Sequence, residues 1–269
     1  MELKEVVGRR RSIRFYLPHK PVERAKIQKM LHAAQRASCV GNVNNTSAVV
    51  IWRDEASAEL LKRITPPLGY QQMQTAPVFI LWYADTDAYE IERWTGHLLD
   101  LADQRRIGVD VEETKTQIND VLKPVFGSMW KDMAVSPLAF MDVGQAVAQA
   151  TLVAYDEGLG TCCMSSPRLE QVANLLDLPD TAVPICLQSV GYPAESWEAG
   201  GQTRKAPFEQ LFHEGRHGRP FLPDPEVEEQ LRTEKLLQRE APLPDRDDEL
   251  RYVVRALGLE GEFVHFDRS

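Results

Sequence analysis

Basic charge is scarce in this sequence of 269 residues, where 31 Lys+Arg stand against 40 Asp+Glu for a formal net charge of −9. Nucleic-acid binders carry the opposite balance, so that class is disfavoured. Cysteine is scarcer still, with only Cys39, Cys162, Cys163 and Cys186. No CxxC pair is present for zinc, no disulfide framework can be read from the spacing, and the neighbours Cys162 and Cys163 would bridge only under strain. Long apolar runs are missing: the longest, 76–84, falls well short of the ~20 residues of a membrane span. Residues 1–20 are charged and lack the apolar middle of a signal peptide, so a reduced, cytoplasmic setting is expected. Three nucleotide and nucleophile signatures are also absent. Gly158-Leu159-Gly160 has no third glycine for GxGxxG, and neither a P-loop nor GxSxG occurs.

Against this acidic background one segment is densely cationic. Arg9-Arg10-Arg11-Ser12-Ile13-Arg14 places four guanidinium groups and a hydroxyl in six residues. Planar Arg forks with a hydroxyl suit a phosphate monoester and need no metal. Ile13, Phe15, Tyr16 and Leu17 mark a segment entering a core, which argues against a basic address signal, while Arg9 reads as a solvated helix-end charge.

Along the chain, Pro21 and Glu23 open a helix that carries Ile27, Met30, Leu31 and Ala34 at helical spacing and ends near Arg36. Short apolar runs predict strands at 48–52, 77–83, 161–164 and 185–190. Residues 141–157, rich in alanine and apolar nearly all round, predict a buried helix ended by Gly158 and Gly160. Ser166-Pro167 offers a cap for the next helix, which runs through Leu175 and Leu176. Residues 85–140 read as an irregular helical excursion with Tyr89, Trp94, Phe126 and Trp130 scattered through it. The alternation of strands and helices indicates one domain over 1–218. The extension 219–269 carries a charged helix at 226–240 with a thin stripe of Val227, Leu231, Leu236 and Leu237, then a strand-like 262–266.

Four further segments bear on chemistry. Residues 37–46 (Ala-Ser-Cys-Val-Gly-Asn-Val-Asn-Asn-Thr) form a polar loop with three amides, and 160–166 lead from the buried helix towards a helix cap. Arg204-Lys205-Ala206-Pro207 is a basic pair before a short helix. His213-Glu214-Gly215-Arg216-His217 matches HExxH, which binds zinc only when both histidines sit on one helical face. Gly215, Gly218 and Pro220 predict that any helix ends there, so a zinc hydrolase remains a distant alternative.

Taken in order and spacing, these segments resemble the FMN-dependent nitroreductase family from about residue 4 to residue 213. Arg10-Arg11-Ser12-Ile13-Arg14 matches its R-[RH]-S-x-[RK] opening, and 37–46 stands where it has A-P-S-S-x-N-x-Q-P-W. Residues 158–166 stand for G-L-G-T-C-W-[IM]-x-G, and Gly191-Tyr192-Pro193 and Arg204-Lys205-Ala206-Pro207 for G-Y-P and R-K-x-P. The resemblance implies an α+β fold of three layers, with a mostly antiparallel sheet flanked by helices in an intertwined homodimer. The extension would wrap the partner subunit. The resemblance also implies FMN, with Arg10, Ser12, Arg14, Arg204 and Lys205 on its phosphate and ribityl chain and Arg11 giving backbone or pyrimidine-side contacts. Asn42 would read the pyrimidine edge, Asn44 would replace a flavin-side amide, and Ser38 and Cys39 would approach from the partner subunit. Cys163, Met164 and Ser165 would lie along the ring, with a backbone N–H near Ser165 at flavin N5. No side-chain acid or base is expected.

Trp94, Phe126, Met129 and Trp130 are candidate substrate-pocket residues. The implied activity is ping-pong reduction of an electron-poor aromatic or conjugated small molecule, such as a nitro compound or quinone, by NADH or NADPH. Oxidative tailoring of a small metabolite or fragmentation of the flavin itself is the alternative on the same fold. Asn44-Asn45-Thr46 in place of Gln-Pro-Trp, Cys163 in place of Trp, and Ser166 in place of Gly are the departures.

Overall fold

The computed structural model describes residues 2–64, 71–165 and 168–259. The expected cap at Ser166-Pro167 and the strand-like 262–266 lie outside the described residues. The β-branched and aromatic runs form four strands, β1 (Thr46–Trp52), β2 (Val78–Asp85), β3 (Gly160–Met164) and β4 (Ala182–Gly191). They pair antiparallel throughout in the order β1-β2-β4-β3. β2 is interior and covered on both faces, which is why Val78 to Trp82 reads as an unbroken apolar run rather than an alternation.

One face of the sheet, through Val78, Ile80, Trp82 and Val190, packs on the long helix Pro137–Asp156 and the helix Arg24–Gln35. The long helix begins four residues earlier than the apolar run suggested, because Ser136 sits at the cap position and Pro137 opens the first turn. Its buried stripe of Ala139, Val143, Ala146, Ala150 and Ala154 recurs at helical spacing, and such small side chains let neighbours approach closely. The opposite stripe, Met141, Gly144 and Ala148, faces outward from the chain. The other face of the sheet, through Phe79, Leu81 and Leu187, is covered by the helices Ala58–Ile64 and Leu169–Leu175.

After the amino-terminal helix Leu3–Arg9, the chain joins the free edge of β3. Ser12 bridges Thr161 in parallel, and the Ile13 N–H donates to the Thr161 carbonyl at 3.0 Å. Ile13 is fully buried, and a Cβ on Gly160 would stand 2.7 Å from its Cγ1, so only glycine lets the segment lie this close. The alternation of the arginine segment therefore becomes an in-and-out pattern, with Ile13 and Phe15 in the core and Ser12 and Arg14 outward.

The excursion after β2 folds around an aromatic cluster. Tyr89 meets Trp94 edge-on at 5.6 Å, and Trp94 stacks on Phe126 at 4.6 Å. In the extension the helix is Pro225–Thr233, shorter than expected. Lys235 takes a left-handed φ of 62°, which stops the helix and turns Leu236 and Leu237 into a strap. The strap runs beside 200–204: Gln202 N–H donates to the Arg239 carbonyl at 2.8 Å, and Ala241 N–H to the Gln202 carbonyl at 2.9 Å. It also crosses the amino-terminal helix so closely that a Cβ on Gly8 would fall 2.0 Å from the Lys235 carbonyl oxygen. The last described helix, Arg246–Ala256, sets Leu250, Val253 and Val254 on Phe15 of its own chain.

Candidate functional site

The amino-terminal segment, the 201–207 loop and the strap enclose a cleft of about 520 Å³, lined by Arg10, Arg11, Ser12, Arg14, Arg204, Lys205 and Glu240 among others. Among the described residues, no carboxylate stands within ion-pair distance of Arg10, Arg14 or Lys205. Arg14 Nη1 is turned back only to the Ser12 carbonyl, at 3.3 Å. Arg204 Nε donates to Glu240 at 3.0 Å on an exposed pair, which is worth little to stability. An acidic protein thus gathers Arg10, Arg14 and Lys205, all outside the ion pairs of the described residues, around one opening, a donor set that fits a phosphate monoester dianion.

Arg11 stands apart from its neighbours. It is buried, and its Nη1 donates to the Gly8 carbonyl at 2.5 Å while its Nη2 reaches Gln238 Oε1 at 3.2 Å. Arg11 Nε is buried without a partner. The side chain caps the amino-terminal helix and ties it to the strap, and desolvation holds its pKa below the usual guanidinium range.

Behind the cleft, Glu195 fixes the backbone that presents Arg14. Its Oε1 accepts from the Arg14 N–H at 2.5 Å and from the Phe15 N–H at 3.1 Å, and its Oε2 from Arg246 Nη2 at 2.6 Å. Neither Glu195 nor Arg246 has a local sequence signature. Glu195 follows Gly-Tyr-Pro in the company of Ser196 and Glu198, and its burial among them comes from the fold.

The second group of expected residues lies elsewhere in the chain. Ser38, Cys39, Asn44, Thr46, Trp82 and Asp142 line a separate pocket of about 310 Å³. The 40–44 loop is built from left-handed residues, Gly41 (φ 50°), Asn42 (φ 54°) and Asn44 (φ 55°), which explains its asparagines. Gly41 passes over the Trp94 indole, where a Cβ would stand 2.6 Å from Nε1. Asn44 Nδ2 donates to the Asn42 carbonyl at 2.8 Å, and buried Asn45 donates to the Ala139 carbonyl at 3.0 Å. Trp94 and Phe126 pack into the aromatic cluster beneath this loop, with Met133 and Trp130 against it. Neither they nor Met129 line either opening. Met164 packs towards the second face of the sheet, while Cys163 is exposed at the end of β3.

Asp142 is a residue that motif reasoning missed, although a carboxylate near the start of an alanine-rich apolar helix was the available clue. It is buried, its Oδ2 accepts from the Val40 N–H at 3.2 Å, and its Oδ1 has no partner. Burial pushes its pKa above the ordinary carboxyl value. The same burial raises the neighbouring Cys39 thiol and pushes the Tyr89 hydroxyl well up. The folded state therefore holds this proton more tightly than the unfolded chain. Its contribution becomes unfavourable as pH rises from the unfolded carboxyl range through the raised folded value, and stays so at neutrality. Asp142→Asn keeps an oxygen for Val40 and removes the charge. The variant is expected to be more stable than the parent by about 1 kcal/mol at neutral pH, a conservative share of an unpaired buried acceptor's cost. The gain should vanish near pH 4. Melting temperatures across pH 4–8 check this, and a pH-independent difference would contradict it.

His213 and His217 are brought together, with ring centroids 4.6 Å apart. They sit in a turn rather than on a helix, because Gly215 has a φ of 73° and His213 bridges Pro220. The helical face that HExxH requires is not formed. Among the described residues no helix is long and apolar enough to cross a membrane.

Comparison with known proteins meets this geometry from outside. The sequence model of the nitroreductase family matches residues 7–98 and 131–192, which hold the arginine segment, the sheet and the long helix. The matched spans leave out the middle of the excursion and everything beyond Tyr192. An NADH dehydrogenase of Thermus thermophilus is 28% identical over 214 residues, covering 78% of this chain and 95% of that one. Among solved structures, a nitroreductase family protein from Streptococcus pneumoniae superposes with a TM-score of 0.63 at 20% identity, over 79% of this chain and all of that one. A protein from Exiguobacterium sibiricum solved in complex with FMN superposes with a TM-score of 0.60 at 22% identity, over 79% and 96%. The α+β fold with its antiparallel sheet is that of these neighbours. With the family model matched over more than half of its length, this chain belongs to the nitroreductase family.

Proposed function

We propose that the protein is an FMN-dependent oxidoreductase that takes electrons from NADH or NADPH and passes them to an electron-poor aromatic or conjugated small molecule. The observation that carries this reading is the cleft of under-neutralised cations at the edge of β3. Its donor set fits the phosphate of FMN, and the family relationship supports the choice of that cofactor. When bound, FMN supplies the ring that accepts hydride from the nicotinamide and releases it to the acceptor.

The chain's own residues bind and orient. Arg10 and Arg14 supply forked donors to phosphate oxygens, the Ser12 hydroxyl adds a neutral donor, and Lys205 adds a point charge. Arg204 exchanges its exposed contact with Glu240 for the phosphate. Met164 and the Ser165 N–H, at the end of β3, follow along the ring. Ser38, Cys39 and Asn44 belong to a second pocket in the same chain, with Asn42 on the loop that borders it, which supports a site completed across two subunits. The outward stripe of Met141, Gly144 and Ala148 on the long helix is the surface on which such a homodimer would close.

The test begins with the purified protein. It is expected to be yellow, to elute as a dimer, and to lose its flavin absorbance when mixed anaerobically with NADH or NADPH. Adding a quinone or nitroaromatic should restore the colour. A flavin-loaded protein that neither nicotinamide bleaches would overturn the reductase reading.

A further inference from the structure

A pair of cysteines lies on neighbouring strands, Cys163 on β3 and Cys186 on β4. In the β3–β4 register, Cys163 stands opposite Gln188, so Cys186, two residues before it, is the diagonal neighbour on the same face of the sheet. Cys186 is the strongest influence on the Cys163 thiol, and it lowers that thiol's pKa. Cys162 points to the opposite face, where Ser189 donates to its carbonyl, and Cys39 lines the other pocket. Cys163 and Cys186 are both free thiols.

We propose that Cys163 and Cys186 form a redox-active dithiol that closes to an intrachain disulfide when the protein meets a peroxide. Cys163 is the exposed partner, on an edge strand, and Cys186 the half-buried one behind it. Diagonal strand neighbours stand roughly 7–8 Å apart, somewhat beyond the ~4.4–6.8 Å between the Cα atoms of a bridge. Closure therefore needs β3 to shift by about an ångström. The arginine segment bridges β3 at Thr161 and the pairing with β4 stops at Met164, so the end of β3 that carries Cys163 can make that shift. The Cys186 contact, the Thr151 hydroxyl and the positive charge of Arg10 hold the Cys163 thiol below its ordinary range against the opposing effect of desolvation. The same contact, with burial, pushes Cys186 up. Cys163 is thus the attacking thiolate and Cys186 the resolving thiol.

The chemistry balances in two steps. The Cys163 thiolate attacks hydrogen peroxide, forming an S–O bond as the O–O bond breaks, and the released hydroxide takes a proton to become water. The Cys186 sulfur then attacks the sulfenic sulfur, forming S–S as the S–O bond breaks and a second water leaves. Two thiols are oxidised by two electrons and one peroxide is reduced to two waters. Whether flavin is bound does not enter these steps, so this inference stands or falls apart from the proposed function.

The experiment treats the full-length protein with a small excess of hydrogen peroxide, then alkylates it and measures intact mass, free thiols and linked peptides. The expected result is loss of the mass of two hydrogen atoms before alkylation and two fewer alkyl groups after it, two fewer titratable thiols, a peptide joining Cys163 to Cys186, and full recovery with dithiothreitol. Cys186→Ser should instead trap a sulfenic acid at Cys163, captured by dimedone, while a Cys39→Ser/Cys162→Ser variant should still close. Unchanged thiol counts, a bridge involving Cys39 or Cys162, or stepwise oxygen addition to Cys163 in the unaltered protein would each overturn the proposal. The peptide map of the unaltered protein decides the matter even if a serine variant fails to fold.

Discussion

Replacing Arg10 and Arg14 together with alanine should yield folded but colourless protein. Each hydrogen bond between charged partners contributes on the order of 1.5–3 kcal/mol, so each arginine removed should weaken flavin retention by roughly 10- to 150-fold. The double variant should lose between about a hundred-fold and ten-thousand-fold if the two act independently on one phosphate. Folding should be spared, because the Arg14 guanidinium reaches only the Ser12 carbonyl, its N–H bond to Glu195 survives the substitution, and Arg10 stands outside the ion pairs of the described residues. Arg11→Ala is the informative contrast. It removes donors to Gly8 and Gln238 from a buried position, so its effect should appear in melting temperature rather than first in flavin content. Flavin occupancy per chain, measured after denaturation alongside far-UV circular dichroism, separates the two outcomes. A double variant that purifies with full flavin would place the phosphate elsewhere.

The contrast between Arg11 and its neighbours marks where sequence legibility ended. The cluster, its charge logic and its company with Arg204 and Lys205 were readable because they follow from composition against an acidic background. The strands at 46–52 and 78–85 were readable because β-branched and aromatic runs can hardly do otherwise. Which arginine turns inward was not readable. That depends on Ser12 pairing with Thr161 and on Gly8 pressing against Lys235, both contacts between distant parts of the chain. The helix expected over 226–240 overran for the same reason. Propensity favours continuing it, but Gln202 accepts from the Gln238 N–H and donates to the Leu236 carbonyl, and that bonding outcompetes the next helical turn. Trp94 supports the Gly41 backbone, a role aromatic spacing does not reveal because it does not say which side of a ring a loop will cross. Asp142 and the Cys163–Cys186 pair became visible only once helix faces and strand register were known.

The second large effect concerns stability and comes from Glu195, whose carboxylate is wholly enclosed and joins three elements. It receives two backbone N–H groups from the arginine segment and one fork of Arg246, whose other nitrogen is held by Glu249 at 2.9 Å. Glu249 in turn accepts from the Ser196 N–H, so the last described helix is locked to both the 193–196 turn and the edge of the sheet. Glu195→Ala leaves a largely buried guanidinium and two N–H groups without their acceptor. Breaking one partner of a buried pair costs about 3–5 kcal/mol, which for a chain of this size lowers the melting temperature by roughly 10 °C. Arg246→Ala should cost less, since Glu195 keeps its two backbone donors. The double variant Glu195→Ala/Arg246→Ala should then be less destabilised than the sum of the singles, the difference reporting the coupling between them. Because the same carboxylate sets the backbone at Arg14, the Glu195 variant should also bind flavin more weakly at temperatures where it remains folded. Limited proteolysis should cut it first between the strap and the last helix. An additive double variant, or a Glu195→Ala protein that melts with the parent, would show that the lock contributes nothing and that the strap is held by its backbone hydrogen bonds alone.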